Sequence, residues 1–508
     1  MKQSKIIIFT LIALAAIFAV TFTGCSRQKE KKEAELRYGF TSEPKTLDPL
    51  SANNTADGRS ILFNVFEGLI KPDTDGTFLP CAAQAWTIDR DSLTYTFTLR
   101  ENVRFHDGSI VTPKDVKFSF DKAIEEGYHG LNMIKDVIIQ GENQIIIILH
   151  NADPDYLPYL TIGIVKDGND NREKDVIGTG PFFIESYLPQ RNLVLKRFDN
   201  YWQRFLPEPR EIPYLEKVTI VFFANNDALI TSLRGGSIDG AWLTGSQIEQ
   251  LNKNDFDIIH NFSSSIQLLA LNNASPPLDD IRVRKAINYG IDIQQIIDAA
   301  FFGRGFHSGS PVIPGLSAYY EESLGYPYEP QTAVSLLNEA GFNSGRNFSL
   351  EITVPSNYVM HIDTAQVIVS QLMKIGIDAS IKLVDWTTWI SDVYRGRNYQ
   401  ATIISLDSPV VSPRSFLSRY SSKESNNFIN FNNNDYDKIY QALLTETDTA
   451  KRDFLYREAQ RTITSNAASV YIQDILYYNA LRKDTFTGVE NYPLYVIDFS
   501  LMHRVDKN

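Results

Sequence analysis

Cysteine is nearly absent from this chain of 508 residues, which contains only Cys25 and Cys81. Two cysteines exclude a disulfide framework, because they can form one bridge at most. Basic residues are outnumbered as well, since 49 lysines and arginines face 61 aspartates and glutamates, a net charge of −12. An acidic chain offers no broad basic surface, so nucleic acid is a poor partner.

The sequence also lacks the residue patterns of common enzyme sites. It has no HExxH motif and no GxxxxGK[ST] loop, and Gly178-Thr179-Gly180 is followed by Phe183 where a dinucleotide fingerprint needs glycine. The histidines are too scattered to form a ligand pair on one helix or strand. They are His106, His129, His150, His260, His307, His361 and His503. The sequence therefore predicts no catalytic residues, no cofactor and no metal site.

The composition is that of a packed globular protein, with 43% apolar and 22% charged residues. A length of 508 residues suggests about three domains.

The N-terminus has the pattern of an export signal. Two early lysines precede the uncharged apolar run Ile6–Phe22, which ends in Phe22-Thr23-Gly24-Cys25. Small residues before a cysteine at this place resemble a bacterial lipobox. The resemblance implies a lipoprotein signal peptide over residues 1–24, lipidation of Cys25 and a polar tether over residues 25–35. The alternative is an uncleaved anchor helix, because 17 apolar residues nearly span a bilayer.

If Cys25 carries lipid, Cys81 has no partner thiol. We therefore expect Cys81 to be a small buried residue.

Hydrophobic periodicity predicts a mixed α/β body. Alternation of polar and apolar residues over 91–100 is typical of a half-buried strand, and the unbroken run Ile145–Leu149 predicts a strand buried on both faces. Further segments are one strand over 218–223 and helices over 279–292, 330–341 and 361–376.

The stretch from 348 to 406 is the most regular. It predicts strand 348–354, helix 361–376, strand 379–385, helix 387–394 and strand 399–406. This alternation indicates a parallel sheet, whose ligands bind at the carboxyl ends of the strands. Those ends fall after Val354, around Asp385 and Trp386, and at Ser405–Asp407.

Ten short segments, taken in order, resemble one family, the bacterial extracellular solute-binding proteins of family 5, whose members serve peptide-type and nickel-type ABC importers. The similarity runs from about residue 36 to residue 505. The segments are Ser42–Pro49, Asn64–Leu69, Tyr95–Arg100, Val103–Gly108, Thr112–Val116, Gly178–Phe182, Asn200–Trp202, Gly236–Asp239, Val283–Ile287 and Tyr436–Ile439.

The resemblance implies an α/β fold of the type II periplasmic-binding-protein class, in its large form with an extra domain. Two lobes would close on a ligand in the cleft between them. Lobe I would comprise residues 36–70, 167–271 and 482–508, the extra domain residues 71–166, and lobe II residues 272–481.

The implied function is that of the substrate-binding component of an ABC importer. Such a protein captures oligopeptides and delivers them to a membrane permease that has separate ATPase subunits. We expect a monomer, exported and lipid-anchored to a bacterial membrane, facing the periplasm or the cell exterior. Alternatives with the same fold bind a nickel chelate, an oligosaccharide or another small molecule. Two further classes are an exported enzyme and a structural or adhesive lipoprotein.

The resemblance also implies ligand contacts on both lobes. Backbone pairing with a peptide would involve Asn53, Asn54 and Thr55 on one side, and Ser405, Leu406 and Asp407 on the other. Trp386 would supply a flat apolar wall, and Asp407 could hold an ammonium group.

The sequence departs from the family pattern at this last contact. An ungapped count places Pro409 where peptide-binding relatives have an aspartate, and Asp407 lies two residues earlier. Leu406 stands where a tryptophan is usual. Either the loop is rearranged so that Asp407 serves, or no carboxylate holds an α-amino group.

Overall fold

A computed structural model gives the structure of most of the chain. The predicted signal peptide, Cys25 and all but the last two residues of the predicted tether lie outside the described residues, as do Asn53 and Pro409. No helix among the described residues is both long and apolar enough to cross a membrane. The described ranges are 34–51, 54–89, 91, 93–207, 213–262, 264–342, 348–408 and 410–505.

Strands and helices alternate along the described chain. The strands are β1 Glu35–Phe40, β2 Ile70–Pro72, β3 Phe78–Pro80, β4 Ala83–Ile88, β5 Thr94–Leu99, β6 Ile134–Gln140, β7 Gln144–Leu149, β8 Phe182–Leu188, β9 Asn192–Arg197, β10 Lys217–Phe222, β11 Gly240–Thr244, β12 Phe256–Asn261, β13 Ser265–Leu271, β14 Phe306–His307, β15 Ser349–Pro355, β16 Asp378–Val384, β17 Ala401–Asp407, β18 Ser469–Asp474, β19 Tyr477–Arg482, β20 Phe486–Thr487 and β21 His503–Arg504. The α-helices are α1 Ala56–Leu62, α2 Pro113–Glu125, α3 Asn226–Gly235, α4 Gly245–Ile248, α5 Ile281–Gly290, α6 Ile293–Phe301, α7 Pro330–Glu339, α8 Val359–Lys374, α9 Trp386–Thr388 (continued as a wider π-type turn over Trp389–Arg395), α10 Pro413–Leu417, α11 Asn434–Leu443 and α12 Thr449–Ser465.

The first lobe is built on a seven-stranded sheet in the order β12-β19-β11-β1-β10-β9-β8. Its central strand β1 pairs in parallel with both β10 and β11. Leu36, Tyr38 and Phe40 of β1 are buried in one core, while Ala241 and Leu243 of β11 face a second core beneath α3. The sheet is therefore covered on both faces.

The second lobe is built on a six-stranded sheet in the order β14-β18-β13-β17-β15-β16. Successive residues of β13 enter different cores: Leu269 packs with helices α5 to α8, and Leu268 packs with α10 to α12. Helices thus cover both faces, the three-layer arrangement that central strands with apolar residues on both sides require. The pairing of β15 with β16 and β17 is parallel, as predicted for these three strands, but β13 is antiparallel to β17 and β18, so the sheet as a whole is mixed.

The third unit is a four-stranded antiparallel sheet, β4-β5-β7-β6, with α2 on one face. The prediction that Ile145–Leu149 is buried on both faces is wrong. Ile145 and Ile147 are buried, whereas Ile146 and Ile148 are half-buried, because helix α2 covers only one side of the sheet. The buried residues of this unit join the core of the first lobe, so the two form one packed body. Cys81 is fully buried there, as expected.

Two strand-to-strand connections join the lobes. The chain passes from β12 into β13 between Asn261 and Ser265, and from β18 into β19 between Asp474 and Tyr477. These passages precede the predicted lobe boundaries at 271/272 and 481/482, because β13 pairs within the second lobe and β19 within the first. We therefore propose a division of the lobes near residues 263 and 475.

Candidate functional site

The candidate site lies at the carboxyl edge of the second lobe's sheet. Thr353 of β15 pairs with Thr402 of β17, and Pro355 pairs with Val384 of β16, all in parallel register. The ends of these three strands therefore meet at one edge, where ligands of such sheets bind. This arrangement brings Trp386 to the same edge as Ser405, Leu406 and Asp407.

Three aromatic residues at this edge form a surface that we call the aromatic wall: Tyr358, Trp386 and Trp389. The indole rings of Trp386 and Trp389 are stacked, with centroids 5.1 Å apart and planes 5° apart, and the Tyr358 ring meets Trp386 edge-on at 5.6 Å. Trp389 is 3% exposed and its Nε1–H donates to the Thr402 hydroxyl at 3.0 Å. Trp386 is 40% exposed. A buried, anchored ring thus supports an exposed one.

The turn before Trp386 is fixed by Asp385. Its carboxylate accepts the backbone N–H of Thr388 at 3.0 Å and the Thr388 hydroxyl at 2.6 Å, which caps α9. The same hydrogen bonds lower the pKa of Asp385. Trp386 is the first residue of this capped helix, so its orientation is set before any ligand arrives.

Strand β17 has one side without a partner near its carboxyl end. β17 pairs with β13 along its full length, from Ala401 to Asp407, but its ladder with β15 covers only Ala401 and Thr402. Among the described residues no other strand pairs with β17. Ile403 and Ile404 are buried, at 0% and 5% exposure, so it is the main chain of residues 405–407 on the β15 side that can reach an extended ligand, which would add to the sheet as a strand.

The three side chains at the end of β17 differ in what they can contribute. Leu406 is 8% exposed and packs in the core, so it can offer only main-chain groups. The hydroxyl of Ser405 is buried and has no hydrogen-bond partner among the described residues. Asp407 is exposed, and its carbonyl accepts a hydrogen bond from Arg419 Nη2 at 2.9 Å.

On the first lobe, the predicted residues hold a turn together. The Thr55 hydroxyl accepts the Gly58 N–H at 2.9 Å and donates to the Glu43 carbonyl, so Thr55 caps α1. The Asn54 amide is bonded to the backbone of Lys45, Thr46 and Thr55. Both side chains are thus engaged in the fold. Among the described residues no hydrogen bond joins them to the carboxyl edge of the second lobe.

The sequence did not predict a second aromatic group, which lies beside the connection from β18 to β19. Trp242 stacks on Tyr495 at 4.1 Å, and Tyr477 meets Tyr495 edge-on at 5.3 Å. The Tyr495 hydroxyl donates to Asp57 at 2.9 Å, and burial raises the pKa of Asp57. Asp57, Trp242 and the tyrosine pair lie more than 180 positions apart along the chain, so periodicity could not associate them. Tyr358 was missed too, although it follows strand β15 as Trp386 follows β16.

Among the described residues no group of three or more histidine, cysteine, aspartate or glutamate side chains could hold a metal ion. The site consists of aromatic faces, main-chain groups and the exposed carboxylates of Asp385 and Asp407. It is suited to binding an organic solute.

Comparisons with known proteins agree with this geometry. Residues 77–428 match the sequence profile described as "Bacterial extracellular solute-binding proteins, family 5 Middle". The chain is 25% identical over 432 residues to heme-binding protein A of Haemophilus influenzae, covering 76% of this chain and 77% of the relative. It is 24% identical over 499 residues to the oligopeptide-binding protein OppA of Bacillus subtilis, covering 89% and 90%.

A solved structure shows the same fold. The unliganded open form of the periplasmic murein tripeptide-binding protein MppA superimposes with a TM-score of 0.83 at 21% identity, covering 94% of this chain and 98% of that one.

Proposed function

Because this chain belongs to the bacterial extracellular solute-binding proteins of family 5, we propose that it captures an oligopeptide between its lobes and delivers it to an ABC permease with separate ATPase subunits. The lobes close over the peptide, and the closed form is the one that the permease recognises. No covalent bond of the peptide changes, so the protein is not an enzyme. It acts as a monomer.

One observation supports a peptide above the other solutes: the unpaired side of β17 beside the aromatic wall. An extended backbone laid along residues 405–407 would form main-chain hydrogen bonds that do not depend on side-chain identity. Its side chains would alternate in direction, so one of them would face Trp386. On the other lobe, contact at Asn53, Asn54 and Thr55 stays a prediction, since the side chains and the carbonyls of Asn54 and Thr55 already bond within the fold.

The direct test is mass spectrometry of the solute released when the purified protein is denatured. Peptides of a few residues are the expected result. Heme, a nickel chelate or a sugar as the released solute would instead establish one of the alternatives. Glutathione, which a 28% identical relative from Salmonella typhi is named for binding, is itself peptide-like and would fit the same strand side.

A first prediction concerns the exposed carboxylate of Asp407. If it holds the ligand's ammonium group, Asp407→Asn should weaken trialanine binding about tenfold, because a charge-assisted hydrogen bond at an exposed position contributes about 1.5 kcal/mol, the low end of its range. N-acetylated trialanine should bind the unmodified protein as weakly as trialanine binds the variant. Isothermal titration calorimetry measures both.

The matched control for this experiment is Asp378→Asn. Asp378 is an exposed carboxylate at the amino end of β16, the opposite edge of the same sheet. Its removal changes the net charge equally and should leave trialanine affinity unchanged. Equal affinity for free and acetylated peptide would eliminate the ammonium contact and leave backbone pairing as the binding mode.

A second prediction concerns the lipid anchor that the sequence Phe22-Thr23-Gly24-Cys25 suggests. Acyl chains on Cys25 would hold the protein on the membrane surface. Cys25→Ser should therefore give a chain that lacks the mass of the acyl groups and keeps its leader uncleaved, both read by intact-mass analysis of the membrane fraction. Cys81→Ser is the control, since that thiol is buried, and should leave the lipidated, cleaved mass unchanged apart from the substitution.

A further inference from the structure

The extra domain and the second lobe meet at a cluster of charged and hydroxyl side chains far from both connections in sequence. Arg414 Nη1 forms an ion pair with Asp153, and the Ser412 hydroxyl donates to Asp155 at 3.0 Å. The Tyr456 hydroxyl donates to the same Asp155 oxygen at 2.6 Å. We call Asp153, Asp155, Ser412, Arg414 and Tyr456 the interlobe latch.

The latch is buried although it is charged. The side chains of Arg414 and Asp153 are 13% and 10% exposed. Burial opposes the charge on Arg414, yet the carboxylates of Asp153 and Asp155 raise its pKa, so it stays protonated. Arg452 adds a hydrogen bond to the Pro154 carbonyl at 3.2 Å, and Asp453 lies nearby. Arg414 and Arg452 thus face two carboxylates, Asp153 and Asp155, across the boundary, while Asp453 lies on their own side.

The interlobe latch lies close in sequence to the carboxyl edge of the second lobe's sheet, where the candidate site is. Ser412 lies five residues after Asp407, and the hydroxyls of Ser408 and Ser415 bond to each other at 2.5 Å within the same loop. Ser412 also caps the helix that carries Arg414. A movement of the extra domain against the second lobe therefore reaches the end of β17 through a short, hydrogen-bonded segment.

The two sides of the latch belong to different bodies. Asp153 and Asp155 lie on the unit that shares its core with the first lobe, while Arg414 and Tyr456 lie on the second lobe. If the lobes rotate about the two strand connections, this boundary must slide or separate. An ion pair suits such a boundary, because hydration of the separated charges offsets most of the attraction that is lost. If the boundary were apolar and of equal area, its separation would expose that surface to water, and no hydration of charges would offset the lost hydrophobic free energy.

We propose that Asp153, Asp155 and Arg414 form a reversible latch between the lobes, and that Arg414 is a positioning residue for the ligand-binding end of β17. The latch limits how far the two lobes separate, so that the first lobe stays within reach of a solute bound along residues 405–407. This inference rests on the proposed closure of the lobes over a solute.

The test is small-angle X-ray scattering of the ligand-free protein with Arg414→Met and, as a milder change, Ser412→Ala. Both variants should have a larger radius of gyration than the unmodified protein, and Arg414→Met should bind trialanine about five- to tenfold more weakly. The charge exchange Asp153→Arg with Arg414→Asp should restore the scattering profile. Lys382→Gln, which breaks an exposed ion pair with Glu351 inside the second lobe, is the control and should change neither quantity.

The possible outcomes distinguish a failure of the latch proposal from a failure of the proposed function. A larger radius in both latch variants supports the latch even if no peptide binds, because scattering requires no ligand. Unchanged scattering in correctly folded variants would overturn the latch proposal. A fall in melting temperature with unchanged scattering would overturn it too, because it would show that these residues form a static contact. Unchanged scattering with trialanine still bound would leave the proposed function intact.

Discussion

Arg284→Met should lower the free energy of unfolding of the second lobe by about 3–5 kcal/mol, because several buried carbonyls lose their donor at about 1–3 kcal/mol each before relaxation. Arg284 is 7% exposed and donates to four backbone carbonyls. Two belong to residues just before α5, Leu278 and Asp279, and two to the turn after α12, Asn466 and Ala467. Burial lowers the pKa of Arg284 to about 10, so it is still charged at neutral pH.

The size of this effect comes from the turn that Arg284 holds. Ala467 has a φ of +49°, in the left-handed region that costs an L-residue roughly 1–2 kcal/mol. The guanidinium group bonds the carbonyl of this residue and of the one before it. Methionine keeps much of the side-chain length but leaves these carbonyls buried without donors, at about 1–3 kcal/mol each before relaxation.

Urea denaturation followed by circular dichroism measures the loss. Arg282→Met, two residues earlier on the same helix, is the control: Arg282 pairs with Asp280 at an exposed position, and such pairs contribute about 0–1 kcal/mol. A loss below 1 kcal/mol for Arg284→Met would mean that water replaces the guanidinium group at these carbonyls.

Arg284 shows what kind of role the residues in the ten segments that resemble the family have. It lies in the segment Val283–Ile287, and its role is structural. Likewise Tyr201 and Trp202, from one segment, donate to the carboxylate of Glu67, from another, at 2.6 and 2.8 Å. These segments identify the fold because their polar side chains join distant parts of the core. They do not specify the ligand.

Local pattern predicted three of the six strands of the second lobe's sheet, because strands and helices alternate with clear periods over residues 348–406. Strands β15, β16 and β17 begin and end within two residues of the predicted bounds. The same reasoning failed for β7, where an all-apolar run lies in a sheet covered on one face. Periodicity reports which residues prefer burial, but the partner layer decides which of them are buried.

The candidate site was only partly predictable for a related reason. Trp386 and residues 405–407 follow strands, so topology alone places them at one edge. The unpaired side of β17 depends on where β15 diverges from it, which no local signal reveals. The latch joins Asp153 to Arg414, 261 positions apart, and Trp242 stacks on a tyrosine near the C-terminus. Such contacts exist only once the lobes are assembled.

Trp386→Ala should weaken binding of the tripeptide Ala-Phe-Ala by about 2 kcal/mol, roughly 30-fold in Kd. The side chain presents an exposed ring that is already held by stacking on Trp389 and by the cap at Asp385. A ligand ring that packs on it therefore gains contact area with little loss of side-chain entropy. Trialanine should lose less, because a methyl group covers less of the indole face.

The difference between the two peptides is the informative quantity, because it isolates the contact between rings from other effects of the substitution. Trp386→Phe should retain most of the affinity for Ala-Phe-Ala, since an aromatic face remains. Met373→Ala removes another exposed apolar side chain, 58% exposed at the far end of α8, and should have no effect. Equal losses for both peptides would show that Trp386 supports the shape of the edge and is not in contact with ligand side chains. In that case the unpaired side of β17 would account for binding by itself, and the protein would accept peptides regardless of their side chains.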